Sequence, residues 1–287
     1  MVNNFSVNGV PGSNYGVFLT QNGYKDIFAY PPVKNIEIVE WEDEDCEEAD
    51  LSDVKIDSRR ISLTFGYTSR DGLKLFLQSI QTEEPQSFTF SEVGINVNLR
   101  LTSAGSLDRL NNVGTITLHF TEDSPVIPSD IELEDFTFAG SKVTQRGYYI
   151  NDIDLARLGC WVLDGTDQSL EEADTIKPNL VIESESVSGQ TYLKRTSESN
   201  QPIANRDFQV RILINDTIDN AVSFWKALYS AISSPGGQII KAANINYPCY
   251  YKSANVSRFD VVNKRVWLEM TLNFRLTARP HKDNSNN

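Results

Sequence analysis

The chain has 287 residues with a formal net charge of −13, and 40% of its residues are hydrophobic and 23% are charged. This length predicts about two domains, each large enough to fold without a disulfide or a metal. An acidic chain does not neutralise phosphates with clustered Lys and Arg, so sequence-specific nucleic-acid binding is not expected. No apolar run approaches the ~20 residues that span a bilayer, so no membrane segment is predicted.

The first unit begins with residues rich in Asn, Gly and Ser, and then shows strand patterns bounded by turn residues. Gln21-Asn22-Gly23 is a hairpin signal, and Thr68-Ser69 is an N-cap signal before a helix of about ten residues. The predicted strands cover residues 17–20, 36–39, 60–67, 87–90, 95–101 and 115–121.

Residues 40–50 form an acidic tract in which eight of eleven residues are Asp or Glu. Like charges oppose pairing into a sheet, so the tract predicts a solvated loop. Calcium binding is the alternative, although the tract lacks the mid-loop glycine and the ligand order of an EF-hand. The candidate site residues are therefore seven carboxylates: Glu42, Asp43, Glu44, Asp45, Glu47, Glu48 and Asp50.

The second unit follows a segment broken by Pro125, Pro128 and Gly140, which is typical of a linker. Asn215-Asp216-Thr217 predicts the start of a helix over residues 218–232. Predicted strands cover residues 179–183, 191–195, 207–214, 247–252 and 266–277, and the polar residues 281–287 predict a disordered tail.

The two units share short sequences in the same order. Ile95-Asn96 and Ser103-Ala104 recur 150 residues later, and Thr117-Leu118-His119-Phe120 recurs as Thr271-Leu272-Asn273-Phe274. The helix residues Leu73, Phe76 and Ile80 answer to Val222, Trp225 and Leu228, so we expect Phe76 and Trp225 to pack from helix onto sheet. A period this long predicts a duplicated domain, with a first domain over 1–124, a linker over 125–146, a second domain over 147–280 and a tail over 281–287.

Alternation along the strands predicts a mainly β (β+α) fold, in which antiparallel sheets with one buried face carry one flanking helix per unit. The first 139 residues hold 23 acidic and 9 basic side chains, a net charge of −14, whereas the remainder has a net charge of +1. This asymmetry indicates that the two units face different neighbours.

A search for catalytic chemistry finds no site. His119 and His281 have no carboxylate or thiol in a catalytic or metal-binding arrangement nearby. Cys46, Cys160 and Cys249 show neither a disulfide framework nor a metal-ligand spacing. We therefore expect no enzyme activity and no cofactor.

Three tyrosines leave one binding function open. Tyr247, Tyr250 and Tyr251 are either a platform on which sugars stack or part of a packed strand with one edge at a subunit contact. The first alternative would make the protein a β-sandwich carbohydrate- or surface-binding module.

The order of strand, capped helix, short strand and long hairpin, present twice, resembles the tail-tube fold of bacteriophages, including distal tail and tail hub proteins. The resemblance is carried by Ser58-Arg59-Arg60-Ile61-Ser62-Leu63-Thr64-Phe65, by Asn205-Arg206-Asp207-Phe208-Gln209-Val210 and by the helices and hairpins after them. Distal tail proteins usually pair one tube-like domain with a different second domain, whereas here both halves look tube-like.

The resemblance implies a structural, non-enzymatic protein of a phage virion tail, made in the bacterial cytoplasm and placed at the tube end or baseplate. It implies a homo-oligomeric ring, either a hexamer or a trimer with pseudo-sixfold symmetry, that contacts other tail proteins. DNA would pass through the channel as cargo, and the seven carboxylates would line it, since negative charge on an inner wall repels phosphate.

Overall fold

A computed structural model of the chain describes residues 4–41, 44–126, 143–145, 147–177, 181–185, 191–195 and 201–283. The fold is mainly β, as predicted, and the strand pairs in these ranges are antiparallel. Up to residue 122 the elements are β1 (Ser6–Val7), β2 (Val10–Pro11), β3 (Val17–Leu19), β4 (Ile38–Val39), β5 (Glu48–Ala49), β6 (Arg59–Tyr67), α1 (Arg70–Ile80), β7 (Gln86–Phe90), β8 (Ile95–Leu110) and β9 (Val113–Glu122).

The first large sheet has the strand order β2-β1-β7-β8-β9-β6-β3. Helix α1 begins where predicted, because the Ser69 Oγ accepts the backbone N–H of Gly72 at 2.9 Å. The buried residues Leu73, Phe76 and Ile80 lie on one face of the helix. Phe76 meets Phe65 of β6 with 5.2 Å between ring centroids, so the predicted packing of this helix onto its sheet is confirmed.

The second half of the chain repeats this arrangement. Its elements are β10 (Tyr148–Ile150), β11 (Ile153–Asp154), β12 (Cys160–Val162), α2 (Thr166–Leu170), β13 (Val181–Glu185), β14 (Thr191–Arg195), β15 (Asp207–Thr217), α3 (Ile218–Ile232), β16 (Gln238–Ala242), β17 (Ile245–Val262), β18 (Arg265–Leu276) and β19 (His281–Lys282). The second large sheet has the order β11-β10-β16-β17-β18-β15-β12, with β19 paired to β17.

The two sheets have the same strand order when β1, β7, β8, β9, β6 and β3 are matched with β10, β16, β17, β18, β15 and β12. The long hairpins share an irregularity as well: the register of β8 with β9 shifts between Leu101 and Ser103, and that of β17 with β18 shifts between Tyr251 and Ser253. A bulge needs one extra residue at a defined position, so its recurrence 150 residues later is what a duplication requires. Duplication itself, and the domain limits at 124, 146 and 280, stay predictions.

Arg59 at the start of β6 and Arg206 just before β15 bind partners of the same kind, two backbone carbonyls and one carboxylate. Arg59 donates to the carbonyls of Ile27 (3.1 Å) and Ala29 and pairs with the buried Glu122. Arg206 donates to the carbonyls of Ser169 (2.8 Å) and Leu170 (2.7 Å) and pairs with Asp174. Each arginine therefore fixes the short helical turn that follows the edge strand of its own sheet.

Several predicted elements differ from the structure. The strands predicted over 95–101 and 247–252 continue to Leu110 and Val262, since the bulges let the hairpins extend beyond their regularly alternating parts. Asn22 has a left-handed φ of 61° as expected of a turn, but β3 pairs with β6 and forms no hairpin at residues 21–23. Residues 281 and 282, predicted to be disordered, form β19 against Ile245 and Asn246.

Candidate functional site

The acidic tract is only partly the solvated loop that the sequence predicts. Glu42 and Asp43 lie outside the described residues, while Glu44, Glu48 and Asp50 are exposed. Glu48 also lies in β5, which pairs with β4 and so contradicts the expectation that the tract would not form a strand. Across this ribbon Glu48 faces Val39 and Ala49 faces Ile38, so no like charges lie opposite one another.

Glu47 is the clearest correction, because it is only 4% exposed. Its carboxylate accepts a hydrogen bond from Arg275 Nη2 at 3.0 Å and another from the amide of Asn205. Both partners belong to the second unit, at the end of β18 and just before β15. The tract is therefore docked against the second unit at this residue, since a buried carboxylate requires a paired charge and hydrogen bonds.

Asp45 makes a second contact with the same unit. It forms two hydrogen bonds with the Arg279 guanidinium, at 3.0 and 2.9 Å, and accepts the backbone N–H of Ile203 at 2.9 Å. The bonds from Arg279 lower the pKa of the Asp45 carboxyl, and the Ile203 bond acts in the same direction. The channel-lining role of the seven carboxylates stays a prediction, and only Glu44, Glu48 and Asp50 are described as exposed.

Lys177 fixes the backbone of the tract from the second unit. Its side chain is buried, and its Nζ donates to the carbonyl of Trp41 at 2.6 Å and to that of Cys46 at 2.9 Å. A buried ammonium requires such acceptors. Together with Arg275 and Arg279, this lysine explains why so acidic a segment lies against the second unit. The positive charges at this contact are local, because the net charge of the second half of the chain is only +1.

A second contact between the units is aromatic, and the sequence search missed it. Phe28 meets Phe259 of β17 at 4.4 Å between ring centroids, and Tyr30 stacks on Tyr229 of α3 at 4.7 Å. Hydrogen bonds run in both directions: Trp225 Nε1 donates to the Phe28 carbonyl at 2.7 Å, and the Tyr30 hydroxyl donates to the Trp225 carbonyl at 2.7 Å. We call Phe28 and Tyr30 with these three second-unit residues the aromatic contact.

The turn before Phe28 extends this contact with polar bonds. The Asn22 Oδ1 accepts the backbone N–H of Phe259 at 3.1 Å, and its Nδ2 donates to Asp260 at 3.1 Å. The first unit thus contributes the segment after its edge strand, whereas the second unit contributes a helix and a hairpin. Because different parts of two like units meet, the contact is heterologous.

Trp225 does not occupy the place expected for it. Counted from the N-caps Ser69 and Thr217, the counterpart of Phe76 is Phe224, which is fully buried. Trp225 lies one residue further round α3 and faces Phe28 and Tyr30, with ring centroids 5.6 and 5.5 Å away. The only sequence signal for its partners was the aromatic and proline-rich run from Phe28 to Pro32.

The other candidate groups are structural in the described chain. Tyr247, Tyr250 and Tyr251 are 4%, 6% and 2% exposed, so they offer no surface on which a sugar could stack. Their burial supports the packed-strand interpretation and removes the aromatic platform that the carbohydrate-binding alternative requires of them. Ser62 Oγ and His119 Nδ1 are 3.1 Å apart, within hydrogen-bonding distance, across the β6–β9 pair.

The three cysteines are free and buried. Burial raises the pKa of the Cys46 thiol to about 11, with a further contribution from the nearby Asp45 charge. In the part of the chain that the structure describes, no three His, Cys, Asp or Glu side chains come together as they would around a metal ion. No helix in the same part of the chain is long and apolar enough to cross a membrane.

Comparison with known proteins gives a structural likeness. No protein-family model matches the chain, and no curated protein matches it. Among solved structures it is similar to SPP1 Dit (gp 19.1), described as a paradigm of the hub adsorption apparatus in phages that infect Gram-positive bacteria, with 10% identity, 96% of this chain and 99% of that chain covered, and a TM-score of 0.32. A TM-score this low establishes neither a shared fold nor a shared function.

Proposed function

We propose that the chain is a non-enzymatic structural component of a phage or prophage-derived tail, which assembles into a ring around the tail channel at the tube end or baseplate. The observation that carries the ring is the heterologous contact between two units of the same strand order. A heterologous contact leaves the complementary surface of each partner unused, so repeating it adds further units, and a ring results where the rotation between units closes.

The tail assignment comes from the sequence pattern that resembles tail-tube domains, and the construction of the units supports it. The strand order is common to both sheets, and each unit anchors its connecting segment through an arginine, which is Arg59 at the start of β6 or Arg206 just before β15. Six units would surround the channel, supplied by three chains or by six chains in two stacked rings. The exposed carboxylates Glu44, Glu48 and Asp50 would rim the channel and keep passing DNA from binding.

Electron microscopy of the purified protein, together with mass spectrometry of induced particles, tests this function. We expect rings with a central hole in solution or on addition of tail extract, and peptides of this chain in tails purified from the strain that carries the gene. Deleting the gene should leave filled heads without functional tails, and a plasmid copy should restore them. Intact, infectious tails that lack the chain would refute the proposal.

A further inference from the structure

A groove lies beside α1 in the first unit. This α1 groove is a cavity of about 400 Å³ between the helix and the far half of the β8–β9 hairpin. Leu77, Leu107 and Ile116 are part of its floor, and Arg70, Lys74 and Arg109 form its rim. The three rim side chains are exposed, and the ion pairs of the described chain include none of them.

The α1 groove corresponds to the part of the second unit that receives Phe28 and Tyr30. Counted from the two N-caps, Leu77 and Gln81 take the places of Trp225 and Tyr229. In the first unit, Arg109 of β8 pairs with Gly114 of β9, which pairs on its other side with Tyr67 of β6. In the second unit, Phe259 of β17 pairs with Leu268 of β18, which pairs on its other side with Ile214 of β15. Arg109 and Phe259 therefore hold equivalent places. The same site is thus aromatic in the second unit and cationic in the first.

The segment that enters the site also has a counterpart. Asp26 accepts the backbone N–H of Ser62, and Ser169 accepts that of Gln209, so Asp26 and Ser169 hold equivalent places in the two connecting turns. Phe28 lies two residues after Asp26, and Glu171 lies two residues after Ser169, so Glu171 is the counterpart of Phe28. Glu172 is likewise the counterpart of Ala29. Both glutamates are exposed, and neither takes part in an ion pair of the described residues.

The changes at the two sites are complementary. Where the donor segment is aromatic, the receiving site is aromatic, and both lie in one chain. Where the donor segment carries two carboxylates, the receiving site carries three cations, and nothing in the described part of the chain joins them. We propose that the α1 groove of one molecule receives the Glu171–Glu172 turn of a second copy, in the head-to-tail sense of the aromatic contact. This inference rests on the proposed ring and names the contact that would close it.

Opposite charges at this contact make its strength depend on salt. Exposed ion pairs are screened as the ionic strength rises, because the Debye length falls from about 10 Å at 0.1 M to about 3 Å at 1 M. Like charges placed across such a contact oppose binding and weaken it by more than about tenfold. The aromatic contact within each chain involves no charge pair and should be unaffected.

Sedimentation velocity of the full chain, over a range of concentrations up to about 1 mM, tests the inference, since a contact with a Kd near 1 mM is then half formed. We expect the wild type to self-associate more strongly at low salt. Lys74→Glu with Arg109→Glu, and separately Glu171→Lys with Glu172→Lys, should each raise the dissociation constant by at least about tenfold. The quadruple variant, which exchanges the charges, should restore association.

Matched controls separate this contact from the effect of net charge. Lys34→Glu with Lys264→Glu and Glu37→Lys with Glu83→Lys change charge equally at exposed positions elsewhere, and should leave association unchanged. Circular dichroism and thermal melts establish that every variant is folded.

A wild type that stays monomeric at the highest concentration, charge reversals that leave association unchanged, or a quadruple variant that stays dissociated would each overturn the inference. Rings that form through another surface would overturn this contact and leave the proposed function standing. If the quadruple variant regains association but the protein is absent from tails, the contact stands and the proposed function is refuted.

Discussion

Glu47→Gln distinguishes a docked acidic tract from a solvated one. The side chain is 4% exposed, and the Arg275 side chain is 27% exposed. Glutamine has nearly the same size as glutamate, so the substitution removes the charge without creating a cavity. It leaves Arg275 with Asp207 as its remaining carboxylate partner, at 3.3 Å.

The expected cost follows from these contacts. Breaking a buried ion pair destabilises a protein by about 3–5 kcal/mol when one charge is left unpaired. Arg275 retains Asp207 and some contact with water, so we expect the lower end, about 3 kcal/mol of unfolding free energy. Part of the loss arises because the glutamine amide presents donors to the donors of Arg275 and Asn205.

Urea denaturation followed by tryptophan fluorescence measures the unfolding free energy. Glu44→Gln is the matched control, because Glu44 is an exposed member of the same tract, and it should change stability by less than about 0.5 kcal/mol. Adding Arg275→Gln to Glu47→Gln should cost much less than Arg275→Gln alone, since the two residues are coupled. Equal small losses for Glu47→Gln and Glu44→Gln would refute the docked tract.

Three further results are expected. Trp225→Ala should lower the unfolding free energy by about 3–5 kcal/mol, because it is a large-to-small change at a buried site. Trp225→Phe should lower it by about 1–3 kcal/mol, because the Phe28 carbonyl loses its donor. Denaturant melts in which both variants lose no more stability than an exposed substitution would contradict the aromatic contact. Arg279 lowers the pKa of Asp45, so this pair adds stability above the ordinary Asp pKa of about 3.9, and that stability is lost as the pH falls through the folded pKa. The difference in unfolding free energy between wild type and Arg279→Gln should therefore become smaller below about pH 4. A difference that stays constant with pH would exclude the Asp45–Arg279 pair as its cause. If the tract rims a channel, changing its three exposed carboxylates, Glu44, Glu48 and Asp50, to amides should increase retention of the protein on a DNA column at low salt. Unchanged retention would count against the channel.

Local signals in the sequence predict most of the elements. Ser69 caps α1 through its side chain, and Thr217 holds the N-cap position of α3 without a side-chain hydrogen bond. Both helices carry an apolar face, and such signals act within a few residues of chain. The alternating first part of β8 and the aromatic-rich first part of β17 are visible in the sequence. Their continuations are not, since bulges interrupt the period of two.

The contacts between the units were beyond sequence reasoning. Glu47 is docked by Arg275, 228 positions later, and no local pattern distinguishes a carboxylate with so distant a partner from a solvated one. Trp225 was placed one residue out for a related reason: an alignment by hydrophobic pattern cannot separate two adjacent buried aromatics, whereas the helix N-cap can. His281 and Lys282 looked disordered because their ordering comes from the edge of β17.

The aromatic contact also has a consequence for synthesis on the ribosome. Phe28 bonds to a residue 197 positions further along the chain, and at about 5–20 residues per second this partner emerges some 10–40 s after it. During that interval Phe28 and Tyr30 have no rings of α3 to cover them, although the first sheet can already form. The nascent chain therefore exposes an aromatic surface for a period in which a chaperone can bind it, and in which neighbouring ribosomes on one message can bring two such surfaces together.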